Sequence, residues 1–482
     1  MSLYVGVDVG TQGTKTVVYD SSLKTVVASA AESYGLLDSN VPGRAEQDPS
    51  IWIEAVKSTV KRALERVDAK SVKAISVSGQ QHGLVLLGAA NEVLRPAKLW
   101  CDVEAADQAK VFSEACGFCY PPGFTGPKIM WVRDTEPQTF EKIKRVLLPH
   151  DYVNLYLTGK AAAECGDASG TALLDVESRR WDTEAAARID PNLHKWLPPL
   201  VGPGEKIGAV LPAAAAATGL PEGVDVAPGG GDNMMSALGA GAVRDGVWVV
   251  SLGTSATLFG YSPRPILDPT GTVAPFCDCT GAWLPLLCIM NCTAVAEEAR
   301  RASGLSHEEA TREAAGVPAG CGGVNFLPYL SGERTPNWPH ASGALLGLRP
   351  GGLASPGVVY RAALEGTAFA LLAGMKRLQE FGCRVEELRV VGGGSRNELW
   401  CQIIADVFQV KVSRPSSGSE SAALGAALQA AAVHSGRDVR QYVLDDGPGM
   451  AGEVLSPNPS NAQAYREAFE RHVELGRRLF GQ

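Results

Sequence analysis

Basic tracts are missing from this chain. Its net charge is −8 at neutral pH and Lys and Arg are scattered, which argues against a dedicated nucleic-acid binder. Long apolar runs are missing too. An extended uncharged stretch, Cys279 to Ala296, contains Pro285 and Asn291 and reads as strand, turn and helix start rather than a membrane span. Residues 1 to 30 carry Asp8, Lys15, Asp20 and Lys24 with no apolar signal core, so a cytoplasmic location is expected. Paired metal-binding cysteines are absent: the 11 cysteines are odd in number and scattered, as in a reducing compartment. Cys116-Gly-Phe-Cys119 is a lone C-x-x-C without a second pair at zinc spacing, and its thiols read as buried or incidental. No low-complexity tail is present.

What the chain does have is length and glycine turns. A chain of 482 residues exceeds one comfortable core, so two or three domains are expected. Tyr4 to Asp20 reads as two β-branched strands around the turn Gly10-Thr11-Gln12-Gly13-Thr14-Lys15. Two glycines expose backbone N–H groups beside Thr hydroxyls and a Lys ammonium, which makes a cradle for phosphate. Asp8, just before the turn, is placed to hold a divalent cation through water. No helix-opening G-x-x-x-x-G-K-[ST] is present, so this is not a Walker loop. An ordinary edge hairpin explains this stretch nearly as well when it is taken alone.

The rest of the chain alternates strands and helices. Val26 to Tyr34 reads as a third strand. A helix follows with Asp48 as N-cap, Pro49 at its first position and Trp52, Val56, Val60, Ala63 and Val67 on one face. The strand Ala74 to Ser78 ends at Gly79-Gln80-Gln81-His82-Gly83, and a further strand leads to Leu99-Trp100-Cys101-Asp102. Ligands of open α/β sheets sit beyond strand carboxyl ends. His82 and Asp102 could take hydroxyls while the Trp100 indole covers an apolar face, although a strand-end histidine and a core tryptophan are an equally ordinary reading. Residues 103–160 read as helical, and 160–227 as looser. Then Gly229-Gly230-Gly231-Asp232-Asn233 enters a small-residue helix, with Asp232 at its N-terminal end.

The opening pattern recurs. Val249 to Tyr261 repeats Val5 to Tyr19, with Gly253-Thr254-Ser255 on Gly10-Thr11-Gln12, Thr257 on Thr14 and Ser251 on Asp8. Two such hairpins facing one cleft would grip a triphosphate from both sides, with one carboxylate for the metal. Further on, Val390 to Asn397 is strand, glycine turn and helix start. Gly393 and Gly394 can lie flat against a nucleotide, with Asn397 as a polar contact. Ser355-Pro356 starts a long apolar helix closed by Gly382.

The ordered set D8-x-GT, QQHG, LWCD, FTGPKIMW, GGGDN, SLGTSA, LSGERTP and GGGSRNELW resembles the FGGY carbohydrate kinases across residues 4 to 435. Within that family it is most similar to the kinases of D-xylulose. FTGPKIMW and Gly343 to Gly366 correspond to the family's two diagnostic patterns. The resemblance implies an α/β chain of two actin-like, ribonuclease-H-like ATPase domains, 1–244 and 245–482, with the ligand cleft between them. It implies ATP and Mg²⁺, with D-xylulose phosphorylated at its primary 5-hydroxyl. Asp232 would be the general base and Asp8 the acidic group near Mg²⁺. Gln81, His82, Trp100, Asp102 and Asn233 would face the sugar. Gly10, Thr11, Gln12, Thr14, Lys15, Gly253, Thr254, Gly393, Gly394 and Asn397 would face the nucleotide. Gln81 and Cys101 depart from the Met and Asn that some xylulose kinases carry there. Ribulose, glycerol or a sedoheptulose-like sugar therefore stay open as substrates, and an actin-like ATPase binding module is the rival outside the enzymes. The partners expected are a small sugar and MgATP, without nucleic acid or membrane; assembly as a homodimer is left open.

Overall fold

The computed structural model describes residues 2–352, 355–414, 420–448 and 452–481. Two seven-stranded sheets organise it. Counting only their strands, the first comprises β1 (Leu3–Val9), β2 (Gly13–Asp20), β3 (Thr25–Ser33), β4 (Val72–Gly79), β5 (Gly208–Ala209), β6 (Asp225–Val226) and β7 (Gly230–Gly231). The second comprises β8 (Gly246–Leu252), β9 (Ala256–Gly260), β10 (Ala274–Cys277), β11 (Trp283–Ile289), β12 (Val385–Val391), β13 (Lys411–Arg414) and β14 (Glu453–Leu455).

The sheets share a six-strand pairing pattern and differ at their margins. The first runs β5-β6-β4-β1-β2-β3, with β7 also on β4; the second runs β14-β13-β12-β8-β9-β11-β10. In each, the central strand pairs antiparallel with its hairpin partner and parallel with a strand that arrives after a helical excursion. Both central strands even shift register at the same place, at Leu3/Tyr4 and at Gly246/Val247. The expected two-domain α/β fold built on a repeated unit is what the chain adopts.

Central position explains composition. Val5, Val7 and Val9 of β1 are fully buried, and each such side chain contributes roughly 1.5–3 kcal/mol of apolar burial. Helix α1 (Pro49–Leu64) starts as the sequence suggests: the Asp48 carboxylate accepts from Ser50 N–H and Pro49 occupies the first turn. The other helices that matter here are α2 (Thr125–Thr135), α3 (Pro149–Thr158), α4 (Asp232–Gly239), α5 (Pro356–Glu380), α6 (Glu398–Phe408), α7 (Ser421–Ser435) and α8 (Ala462–Phe480). Among the described residues α5 alone is long and apolar enough to cross a membrane, and 83% of its most apolar window is buried inside the fold.

Two expectations change. Residues 103–160 are not helical throughout, because Arg145–Leu147 pairs as a strand with Val85–Leu87. The repeat also carries a deletion. Val9 lies opposite Thr14 in the first hairpin, whereas Leu252 lies opposite Ala256 in the second, so the second turn is one residue shorter. Thr257 therefore sits across from Ser251 as Lys15 sits across from Asp8, and it corresponds to Lys15, not Thr14.

The halves are joined by backbone contact. Helix α7, from the second half of the chain, packs on β1, β4 and α4. A methyl group added at Gly425 would stand 1.8 Å from the Met235 carbonyl oxygen, and one at Gly239 would stand 1.8 Å from that of Ser421. A single apolar core consequently runs through both halves, from Tyr4 and Val17 through Met235 to Ala427 and Tyr442. We expect Gly425→Ala to destabilise the protein by about 3 kcal/mol, at the upper end of overpacking costs, because backbone rather than a side chain must give way. Urea denaturation measures this, and an unchanged midpoint would contradict so tight a crossing.

Candidate active site

A cavity of about 210 Å³ lies where the two repeated hairpins meet. Thr11 of the first loop and Ser251, Gly253, Ser255 and Thr257 of the second hairpin line one part of it. Gln81, His82, Trp100, Asp232 and Asn233 line another, and Phe276, Leu286, Cys288 and Arg334 complete the wall. The structure thus brings both loops, the expected sugar-facing residues except Asp102, and the expected base into one space.

Asp232 opens α4 directly after the glycine run, with Gly231 as N-cap. Burial, reinforced by the Asp8 and Asp167 carboxylates, pushes its carboxyl up to about 8. Asp8 is likewise raised by burial, against the Ser78 hydroxyl that donates to it at 2.8 Å and the nearby Lys15 ammonium. Asn233 links the halves. Its amide donates to Gln81 Oε1 at 2.6 Å and to Asp232 Oδ1 at 3.0 Å, while its oxygen accepts from the Thr257 hydroxyl at 2.9 Å.

The first loop is tied to the pocket wall. Thr11 Oγ1 donates to Gln80 at 2.9 Å and accepts from the Trp100 indole at 3.0 Å. Its carbonyl accepts from Gln47, whose own oxygen accepts from Gln80 and Trp52. A movement of the loop therefore moves Trp100.

His82 is held in a left-handed conformation, φ 51°, which an ordinary side chain adopts only under constraint. Its backbone N–H donates to Asp167 Oδ1 at 3.0 Å, and its ring packs against both Phe124 and Phe276, which also stack on each other. Asp167 in turn meets His150 Nδ1 at 3.2 Å, and His150 Nε2 meets Asp151 at 3.0 Å. Burial would raise Asp167, but the hydrogen bonds from His150 and His82 outweigh it and hold the carboxyl near 2. Burial lowers the His82 imidazole, with Asp167 opposing.

Other expected residues are placed differently. Asp102 does not reach the cavity. It is fully buried, with Lys98 Nζ at 3.0 Å and 3.1 Å and the Ala45 N–H at 2.9 Å. Glu46, Asp102 and Glu104 come close enough together to hold a metal ion, but the Lys98 ammonium already occupies that position. Thr14 is buried against the Tyr34 hydroxyl at 3.1 Å, whereas Gln12 and Thr254 are exposed at the loop tips. Gly393 and Gly394 follow β12 in a turn packed on Leu252 of β8. Asn397 caps α6, accepting from Trp400 N–H at 3.1 Å and donating to Thr311 at 3.1 Å. Asp167 and Phe276 are not marked by the sequence, and Gln80 stood inside the quoted QQHG motif without a role. Arg334 stood inside the quoted LSGERTP motif without a role, whereas nothing marked Asp167 in its loosely patterned segment.

The model of the FGGY family of carbohydrate kinases matches this chain twice, its N-terminal domain over residues 3–239 and its C-terminal domain over 248–434. The chain belongs to that family. Xylulose kinase of Haemophilus influenzae is 36% identical over 491 residues, covering 98% of this chain and 99% of that protein. Xylulose kinase of Escherichia coli K12 is 36% identical over 490 residues, covering 100% and 99%. The crystal structure of xylulose kinase from Rhodospirillum rubrum superposes with a TM-score of 0.87 at 27% identity, covering 99% of each chain.

Gly170 lies behind the His82 ring, and a methyl group there would stand 1.8 Å from Nδ1. Gly170→Ala must displace the imidazole, so it is expected to raise the KM for sugar about tenfold or more with little change in the KM for ATP. Steady-state kinetics with each substrate varied in turn tests this, and an unaltered sugar KM would place His82 outside the sugar site.

Proposed function

We propose that this carbohydrate kinase transfers the γ-phosphoryl group of MgATP to the primary 5-hydroxyl of D-xylulose, giving D-xylulose 5-phosphate and ADP. The observation that carries the reading is the convergence of a wall of Gln81, His82, Trp100 and Asn233, a carboxyl of raised pKa and two glycine–threonine loops on one cavity. Full-length relatedness to curated xylulose kinases supports the choice of sugar.

Phosphoryl transfer asks little covalent chemistry of a protein; it asks for in-line placement, neutralised phosphate charge and a base for the attacking hydroxyl. In this reading Gln81, His82 and Asn233 bind sugar hydroxyls and the Trp100 indole covers an apolar edge. Asp232 takes the proton from the 5-hydroxyl as the oxygen attacks phosphorus. Gly10, Thr11 and Lys15 grip the phosphates from the first half, and Gly253 and Thr254 grip them from the second. The turn at Gly393 and Gly394 lies against the nucleotide. A divalent cation fits the donor set: Asp8 is a hard oxygen donor near enough to Asp232 to help raise its carboxyl, and a cation beside the two would favour the ionised form of both. Mg²⁺ held there through water would supply neutralisation of the phosphate oxygens. Residues 1–244 would carry mainly the sugar and 245–482 mainly the nucleotide.

Gln81 and Cys101 leave the sugar preference to experiment. A panel of D-xylulose, ribulose, glycerol and a seven-carbon ketose, read by coupled ADP release, decides it. ADP release indifferent to every sugar would favour an ATPase binding module instead.

Two outcomes follow for the base. Asp232→Ala should lower kcat by roughly 10²–10⁴-fold while sugar binding persists, and wild-type turnover would overturn the assignment. The base must be ionised, and its carboxyl is raised to about 8. Activity should therefore climb about tenfold per pH unit below that point and level off above it, in kcat/KM profiles that report the free enzyme. A profile flat from pH 6 to 9 would contradict it.

A further inference from the structure

Lys128 stands in the first turn of α2, an unfavourable place for a cation, because the helix presents its positive end there. Its side chain is fully buried, and burial pushes the ammonium down to about 7. Among the described residues, Nζ hydrogen-bonds three backbone carbonyls and no carboxylate. It donates to His82 O at 2.7 Å, Lys98 O at 3.2 Å and Leu99 O at 3.1 Å. In its charged form the group has three hydrogens, one for each carbonyl, and three acceptors favour that form against the effect of burial. One turn back, Thr125 Oγ1 donates to the same His82 carbonyl at 3.0 Å.

Those carbonyls belong to two separate loops. His82 O lies in the loop that carries Gln81 and His82; Lys98 O and Leu99 O immediately precede Trp100. Both loops line the cavity through those side chains. The left-handed backbone of His82 is thus gripped on its two sides, its N–H by Asp167 and its carbonyl by Lys128 and Thr125. A desolvated charge spent wholly on carbonyls of two ligand-bearing loops is unexplained by core packing, which an apolar side chain would serve better.

We infer that Lys128 is a positioning residue for the sugar: its ammonium staples the His82 loop to the Trp100 loop and so fixes the width of the gap that receives a polyol. The inference rests on the reading of His82 and Trp100 as sugar-binding groups. It assigns no proton transfer to Lys128, which stands behind the loops rather than in the cavity wall.

Lys128→Met keeps the length and apolar stem of the side chain and removes all three donors. With the staple lost, the KM for sugar should rise about tenfold or more, while the KM for ATP and kcat at saturating sugar stay within about twofold. An unchanged sugar KM in a cooperatively melting variant, or both KM values rising together, would overturn it. If the Met variant does not fold, Thr125→Val reads the same contact, because it removes only the hydroxyl that shares the His82 carbonyl. A rise of about threefold in sugar KM alone supports the staple; no rise overturns it. Wild-type enzyme run in parallel separates the two levels. Sugar-independent ADP release there would strike down the kinase reading and this inference with it, whereas normal wild-type turnover beside an unaffected variant strikes down the staple alone.

Discussion

Backbone pressed on backbone is the constraint from which the rest of this molecule follows. Two copies of a hairpin can serve one ligand only if their scaffolds meet at a fixed distance, and here α7 meets the first half at Gly6, Gly239 and Gly425 with no room for a methyl group. Helix α4 belongs to that crossing and also begins with Asp232, so the contact that joins the halves places the carboxyl of raised pKa. Asn233, the next residue, then reaches Gln81 on one side and Thr257 on the other. Packing and chemistry share one short helix.

The site is asymmetric although its scaffold is doubled. The first hairpin keeps an acid and an ammonium across from each other, Asp8 and Lys15; the second has Ser251 and Thr257 at the same register. At this register the first hairpin carries charge and the second carries hydroxyls. Supporting the wall formed by Gln81, His82 and Trp100 is a layer of buried groups that do not line the cavity: Asp167 and His150 behind His82, and Gln80 and Gln47 behind Thr11 and Trp100. Their hydrogen bonds are what turn three separate loops into one rigid surface.

What the sequence reveals and what it hides divide along physical lines. The two glycine turns, the helix opened by Asp232 and the repeat itself were legible, because β-branched alternation, glycine clusters and N-terminal caps are local signals. Asp102 was misplaced because its side chain is claimed by Lys98 four residues earlier, and a polar residue at a strand end looks the same whether it faces a ligand or a neighbour. Thr257 falls on Thr14 in the ungapped sequence because a turn shortened by one residue leaves no local mark. Asp167 and Gly170 lay in a stretch with little pattern. They act on a backbone N–H and on the space behind a ring, relations spanning 85 and 88 positions of chain that leave no periodic trace.

The shared core has a consequence for how this chain comes into being. Strand β1 is made first, yet one face of it is covered by α7, whose residues lie some four hundred positions later. Until nearly all of the polypeptide has left the ribosome, the first sheet carries an uncovered apolar face, Gly6 and Tyr4 included. Contacts so distant in sequence form slowly and leave sticky intermediates. The amino-terminal half therefore completes its core only when this last wall arrives.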